Sequence, residues 1–188
     1  MKIRFITVRP LRKDLDYIVH VNTLFQRDIK YFLEILDEGY RAVPIVTIDE
    51  VELLYRRLCF LRELVKRGVK ELFIYSTKSS CIKDCLDYLS FLKRFFDVCI
   101  VSYHVDVFIQ DYPLYVYYFD YVDSILNNIN VRGVVVSSRY FVRVGKCVRP
   151  VEYRYVNSLL IRAGCAARRL GLELVIDISD IELRKVLQ

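Results

Sequence analysis

The chain has 188 residues, 54% of them hydrophobic and 28% charged, with a formal net charge of +6. That length buries roughly 70% of the unfolded surface in one core, so one domain spanning residues 1–188 is expected. The apolar content excludes a mainly disordered chain, and six glycines with four prolines exclude collagen-like or low-complexity sequence.

Strands are expected at Lys2–Val8, Ala42–Ile48, Val69–Tyr75, Asp97–Tyr103, Leu114–Phe119, Val131–Val136 and Leu172–Ile178. Their apolar runs are continuous rather than alternating, as in strands covered on both faces. Helical spacing fills the intervals at Leu15–Leu36, Asp49–Lys66, Ser80–Phe95, Tyr121–Ile129 and Val151–Leu170. In the second of these, Val51, Leu54, Leu58, Leu61 and Val65 keep an i, i+3, i+4, i+7 stripe. Gly39, Gly68 and Gly171 each follow a helix and precede a strand, where a glycine closes the helix end, and Asp49 and Ser80 are candidate N-caps. The result is about seven βα units, an α/β chain whose parallel strands build a compact, irregular TIM-like barrel. Val105–Pro113 and the long, basic segment Ser137–Pro150 interrupt the rhythm.

No apolar run reaches the roughly 18 residues of a membrane span, and Met1 leads directly into a strand-like segment with no signal-peptide pattern. A soluble, cytoplasmic protein is expected. One Met, no Trp, two His and three Gln beside abundant Ile, Val, Lys, Arg and Glu is a thermophile-like balance. The six cysteines permit 15 full pairings. Cys81 and Cys85 form a CxxxC without further ligands at short spacing, so structural thiols or disulfides are expected and no metal or other cofactor.

Charge is segregated along the chain. Between Asp97 and Val131 there are five aspartates and no Lys or Arg; between Arg132 and Arg169 there are nine basic residues against Glu152 alone. Eight of the nine are arginines, whose planar fork matches phosphate bidentately. With Tyr140, Phe141, Tyr153 and Tyr155 interleaved, the block has the make-up needed for phosphate neutralisation and base stacking. The candidate RNA contacts are Arg139, Arg143, Lys146, Arg149, Arg154, Arg168 and Arg169, with Tyr140 and Tyr153 as stacking candidates. The competing reading is a solvated, salt-bridged surface.

Enzymatic signals are weaker. The glycines form neither a GxGxxG nor a Walker loop. His104 with Asp106 is a candidate acid/base pair at a strand end, and His20 falls within the first helical stretch, where a packed role is expected. Asp49, Asp120, Asp177 and Asp180 are scattered near strand ends, so no catalytic residue is assigned. The alternative function is a small barrel enzyme acting on a phosphorylated or anionic small molecule.

The segment order resembles the TIM-barrel-like protein subunit of archaeal and eukaryotic ribonuclease P. The resemblance is carried by LYVYYFDYVDSILNNINVRGVVVSSRYF (Leu114–Phe141) and YVNSLLIRAGCAARRLGLELVIDIS (Tyr155–Ser179): strand, short helix, strand ending in small polar residues, polar loop, Leu/Ala helix, then a strand ending in polar residues and Ser. With Ala42–Leu114 laid on earlier βα units it covers about three quarters of the chain. The family often has an Arg soon after that Ser, whereas Asp180 follows Ser179 here. Lys2–Tyr17 looks more like the family's final units than its start, as in a minimal or circularly permuted form. The resemblance implies an archaeal-type protein that binds a catalytic RNA or precursor tRNA and a small protein subunit, and supports 5′-leader removal without being the catalyst.

Overall fold

The structure is a computed structural model that describes residues 1–76, 82, 84–102, 112–118, 126, 131–137, 139–144, 147–152 and 156–179, with backbone alone at 139–144, 147–152 and 156. Eight parallel strands close a barrel: β1 (Ile3–Thr7), β2 (Asp16–His20), β3 (Arg41–Thr47), β4 (Glu71–Ser76), β5 (Asp97–Ser102), β6 (Leu114–Tyr117), β7 (Val131–Ser137) and β10 (Glu173–Asp177). Around the barrel the order is β1, β10, β7, β6, β5, β4, β3, β2. Two further strands, β8 (Arg139–Val144) and β9 (Cys147–Glu152), pair antiparallel as a separate ribbon. The helices are α1 (Gln26–Asp37), α2 (Val51–Arg56), α3 (Leu58–Lys66), α4 (Leu86–Leu92) and α5 (Val156–Leu170). The TIM-like expectation holds, with fewer helices among the described residues than a full set of βα units.

The strand period of two sorts side chains into two cores. Ile6, Ile18, Ile45, Phe73, Cys99, Val101, Tyr115, Tyr117, Val135 and Val175 fill the interior. Their alternates, such as Tyr17, Leu72, Ile74, Val98, Val116 and Val134, pack with helix residues Phe32, Leu54, Leu64, Leu89 and Ala163. Each strand is covered twice, which is why its sequence reads as a continuous apolar run.

Three glycines do what their spacing predicts. Gly39, Gly68 and Gly171 have φ of 85°, 74° and 68°, the left-handed region that a Cβ disfavours. At α1 the Gly39 N–H donates to the Leu36 carbonyl at 3.0 Å and the Tyr40 N–H to Ile35 at 3.2 Å, and the same pair of bonds closes α3 and α5.

The first helical stretch is corrected: Asp16–His20 is β2, and α1 begins only at Gln26. Tyr17, Ile18 and Val19 are flanked in register by β1 and β3, and closure of the barrel overrides the local helical spacing. β1 reaches β2 without an intervening helix; the connection is held by Tyr17, whose phenolic oxygen accepts from Leu11 N at 3.2 Å and Arg12 N at 2.9 Å. The second helix breaks at Arg57, and Asp49 lies inside a short 3-10 turn (Ile48–Glu50) rather than capping it. Ser137–Pro150 is not a loop but largely ribbon, and the last helix starts at Val156, because Val151 and Glu152 belong to β9. Of Tyr121–Ile129 only Leu126 is described, and it is helical; Ser80 lies outside the described residues.

Candidate nucleic-acid interface

The basic block begins with an exception. Strand β6 pairs with β7 through Leu114↔Val131 and Tyr115↔Gly133, so Arg132 is the extra residue of a β-bulge. Its guanidinium turns to the amino-terminal end of the barrel, donating to Asp97 Oδ2 at 2.7 Å and Glu71 Oε1 at 3.2 Å, with Glu173 Oε1 at 3.5 Å. Arg4, its side chain 3% exposed, lies beside it, 2.7 Å from Glu71 Oε2 and 3.2 Å from Glu173 Oε2. The second of these is an electrostatic contact only, since Arg4 Nε lacks hydrogen-bond geometry to any acceptor. Tyr115 completes the layer by donating to Glu173 Oε2 at 3.0 Å. Gly133 makes room for the Tyr115 ring: a Cβ there would stand 2.5 Å from two ring carbons.

Burial opposes the charge on both arginines, yet the facing carboxylates hold their pKa values above the ordinary range. Glu71, Asp97 and Cys99 bring ligand-type atoms within 4.8 Å of one another. Burial pushes the Cys99 thiol up to about 12, however, and both arginines occupy the space around the carboxylates. Physically this is an ion-pair plug across the barrel floor, in which the two guanidiniums neutralise the carboxylates. Thus one of the nine basic residues, and Asp97 from the acidic stretch, neutralise each other.

The remaining eight fall on the ribbon, on α5 and on the segments between them. In the ribbon Arg139 pairs with Glu152, Arg143 with Val148, and Arg149 with Val142. Two-residue periodicity gives Arg139, Phe141 and Arg143 one parity and Tyr140 the other, and Arg149 shares the Tyr140 parity. The three ribbon arginines therefore do not form a single row. Lys146, Tyr153 and Arg154 lie outside the described residues. Arg168 and Arg169 are exposed in the last turn of α5, and Arg162 is exposed one to two turns before them. Sequence reading omitted Arg162 from the candidate contacts, although its spacing of seven from Arg169 was a readable signal.

The carboxyl end of the barrel holds a pair that sequence reading separated. His20 is not on a helix; it ends β2, and Asp177 ends β10 across the intervening β1. His20 keeps contact with solvent at the rim, yet the surrounding protein lowers its pKa, opposed by the charge of Asp177. Asp177 also accepts from Ser179 N at 3.0 Å. Tyr75 and Tyr117 stack edge to face at the same end, ring centroids 6.4 Å apart. His104, Asp106, Asp120 and Asp180 lie outside the described residues.

Cys59, Cys99 and Cys165 are free thiols, which removes every disulfide pairing that includes them. Among the described residues no helix is long and apolar enough to cross a membrane. No protein-family model matches the chain, and no curated protein sequence matches it.

Proposed function

We propose that the protein binds RNA through the ribbon and α5, as the non-catalytic RNA-binding subunit of a ribonuclease P-type ribonucleoprotein that supports precursor tRNA 5′ processing beside a small protein subunit. The observation that carries this reading is the charge balance left once Arg132 is paired in the barrel floor: eight cations against Glu152 over β8, β9 and α5. A surface held together by salt bridges needs carboxylates in comparable number, as the opposite side of the barrel has in Arg56–Glu52, Lys66–Glu63 and Arg67–Asp37. Phosphodiesters match such an excess of cations over carboxylates. The TIM-like barrel is compatible with the resemblance to the ribonuclease P subunit.

The test is RNA affinity against salt. Five phosphate contacts give a log–log slope of about −3.5 to −4.5. Glu substitutions at Arg139 and Arg149 should weaken binding similarly across RNA sequences, because phosphates carry no base identity. Unchanged affinity at low salt refutes the reading. Tyr140 and Tyr153 are tested by replacement, which costs roughly 1–3 kcal/mol where a base stacks.

The placement of His20 and Asp177 at the ends of β2 and β10 on one rim favours a second reading, an enzyme acting on an anionic small molecule at the carboxyl end of the barrel. A ligand-dependent melting shift with phosphorylated metabolites, abolished by His20→Asn, distinguishes it from the first.

A further inference from the structure

Helix α5 presents two unlike faces. At 100° per residue, Leu159, Ala163, Ala166 and Ala167 cluster on one side, and all four are buried on the barrel. The exposed residues occupy a continuous arc of about 140°, crossed in projection in the order Asn157, Arg168, Ile161, Cys165, Ser158, Arg169, Arg162. Ile161 is 67% exposed, the largest value among the described large hydrophobic residues, so the face around it is open to solvent. No residue of α5 is acidic and none is aromatic.

We propose, resting on the RNA reading above, that this face seats in the wide minor groove of an A-form RNA duplex. Charge complementarity selects a polyphosphate, and three further features select the duplex form. Arg168 stands toward one edge of the arc and Arg169 and Arg162 at the other, matching a groove bordered by phosphates on both sides. Arg162 and Arg169 are about 10 Å apart along the helix axis, a rigid span suited to a regular backbone. A single strand is held by stacking its bases on aromatic rings, and this face carries none. The A-form minor groove is shallow and lined by 2′-hydroxyls, which the small polar and apolar ridge of Asn157, Ile161 and Cys165 can approach closely. Arg162 and Arg169 also engage neighbouring groups, as guanidiniums with five donors can while facing a phosphate. Arg168 makes no ion pair among the described residues.

Cys165 lies at the centre of this face and is an exposed free thiol; Cys59 is also an exposed free thiol, on α3. Helix α5 connects β7 to β10 and α3 connects β3 to β4, pairs that lie opposite each other in the ring of eight strands. Alkylation of the two thiols, resolved by peptide mass, therefore reads both sides of the barrel in one wild-type sample. The probes are a fully paired RNA duplex of about twenty base pairs, one of its strands alone, and the DNA duplex of the same sequence, with binding followed in parallel by fluorescence anisotropy. Saturating RNA duplex is expected to slow Cys165 alkylation about fivefold and leave Cys59 unchanged, the single strand and DNA doing neither. If RNA binds but Cys165 reacts at its free rate, or the single strand or DNA duplex protects it equally, the inference is overturned and the RNA reading stands. If no RNA binds, both fall.

Discussion

Arg132 and Arg168 belong to the same basic stretch of sequence and have opposite surroundings. Arg132 bonds Asp97 and Glu71 in the barrel floor, beside the buried pairing of Arg4 with Glu71 and Glu173. Arg168 stands exposed at the end of a helix that has no acidic residue. A guanidinium already matched by carboxylates contributes to the fold and has little left for a ligand, whereas an unmatched one contributes little to the fold and has its full charge available. The floor of the barrel and the face of α5 should therefore separate cleanly under mutation.

The largest effect is expected in the floor. Arg4→Met removes the buried partner of Glu71 and Glu173, leaving Arg132 as the cation they share, and should cost about 3–5 kcal/mol in denaturant unfolding, the range for breaking a buried pair by removing one partner. A loss below about 1 kcal/mol would show that Arg132 and water, not Arg4, satisfy those carboxylates. Next comes Gly133→Ala, whose methyl group collides with the Tyr115 ring; overpacking of this kind costs about 1–3 kcal/mol. Shortening the ring in the Tyr115→Val background should recover much of that loss, and a purely additive double mutant would contradict the close approach.

Arg132→Gln against Arg168→Gln is the sharpest form of the comparison. The first should lower stability by about 1–3 kcal/mol, the range for charged hydrogen bonds, and leave the salt slope of RNA binding as it was. The second should change stability by no more than about 0.5 kcal/mol and flatten the slope by about 0.7–0.9. Reversal of the two phenotypes would break the division between floor and helix face.

The smallest effect concerns His20. Although His20 is exposed at the rim, desolvation by the surrounding protein lowers its pKa in the folded state, so between the unfolded value of 6.5 and the lower folded value the unfolded chain binds more protons. Stability is accordingly complete above that window and falls as pH drops through it, with Asp177 limiting the loss. His20→Asn should remove this acid shoulder from the melting profile, and an identical profile in the variant would show that His20 titrates as an exposed group.

Sequence alone determined the βα rhythm, the parallel barrel and the three glycine helix ends, because these follow from hydrophobic period and from the left-handed backbone after a helix, both local properties. It also marked the acid-poor basic block, since charge counts need no coordinates. Strand β2 was missed because Asp16–His20 is short and gains its hydrogen bonds only from β1 and β3 on either side. Which arginine of the block turns inward was decided by a register shift between β6 and β7, and the meeting of Arg4, Glu71, Arg132 and Glu173 by closure of β1 onto β10. His20 and Asp177 share a rim for the same reason. Periodicity along a chain states which face a residue takes, but only the strand order and register of the closed barrel state which distant residue it meets there.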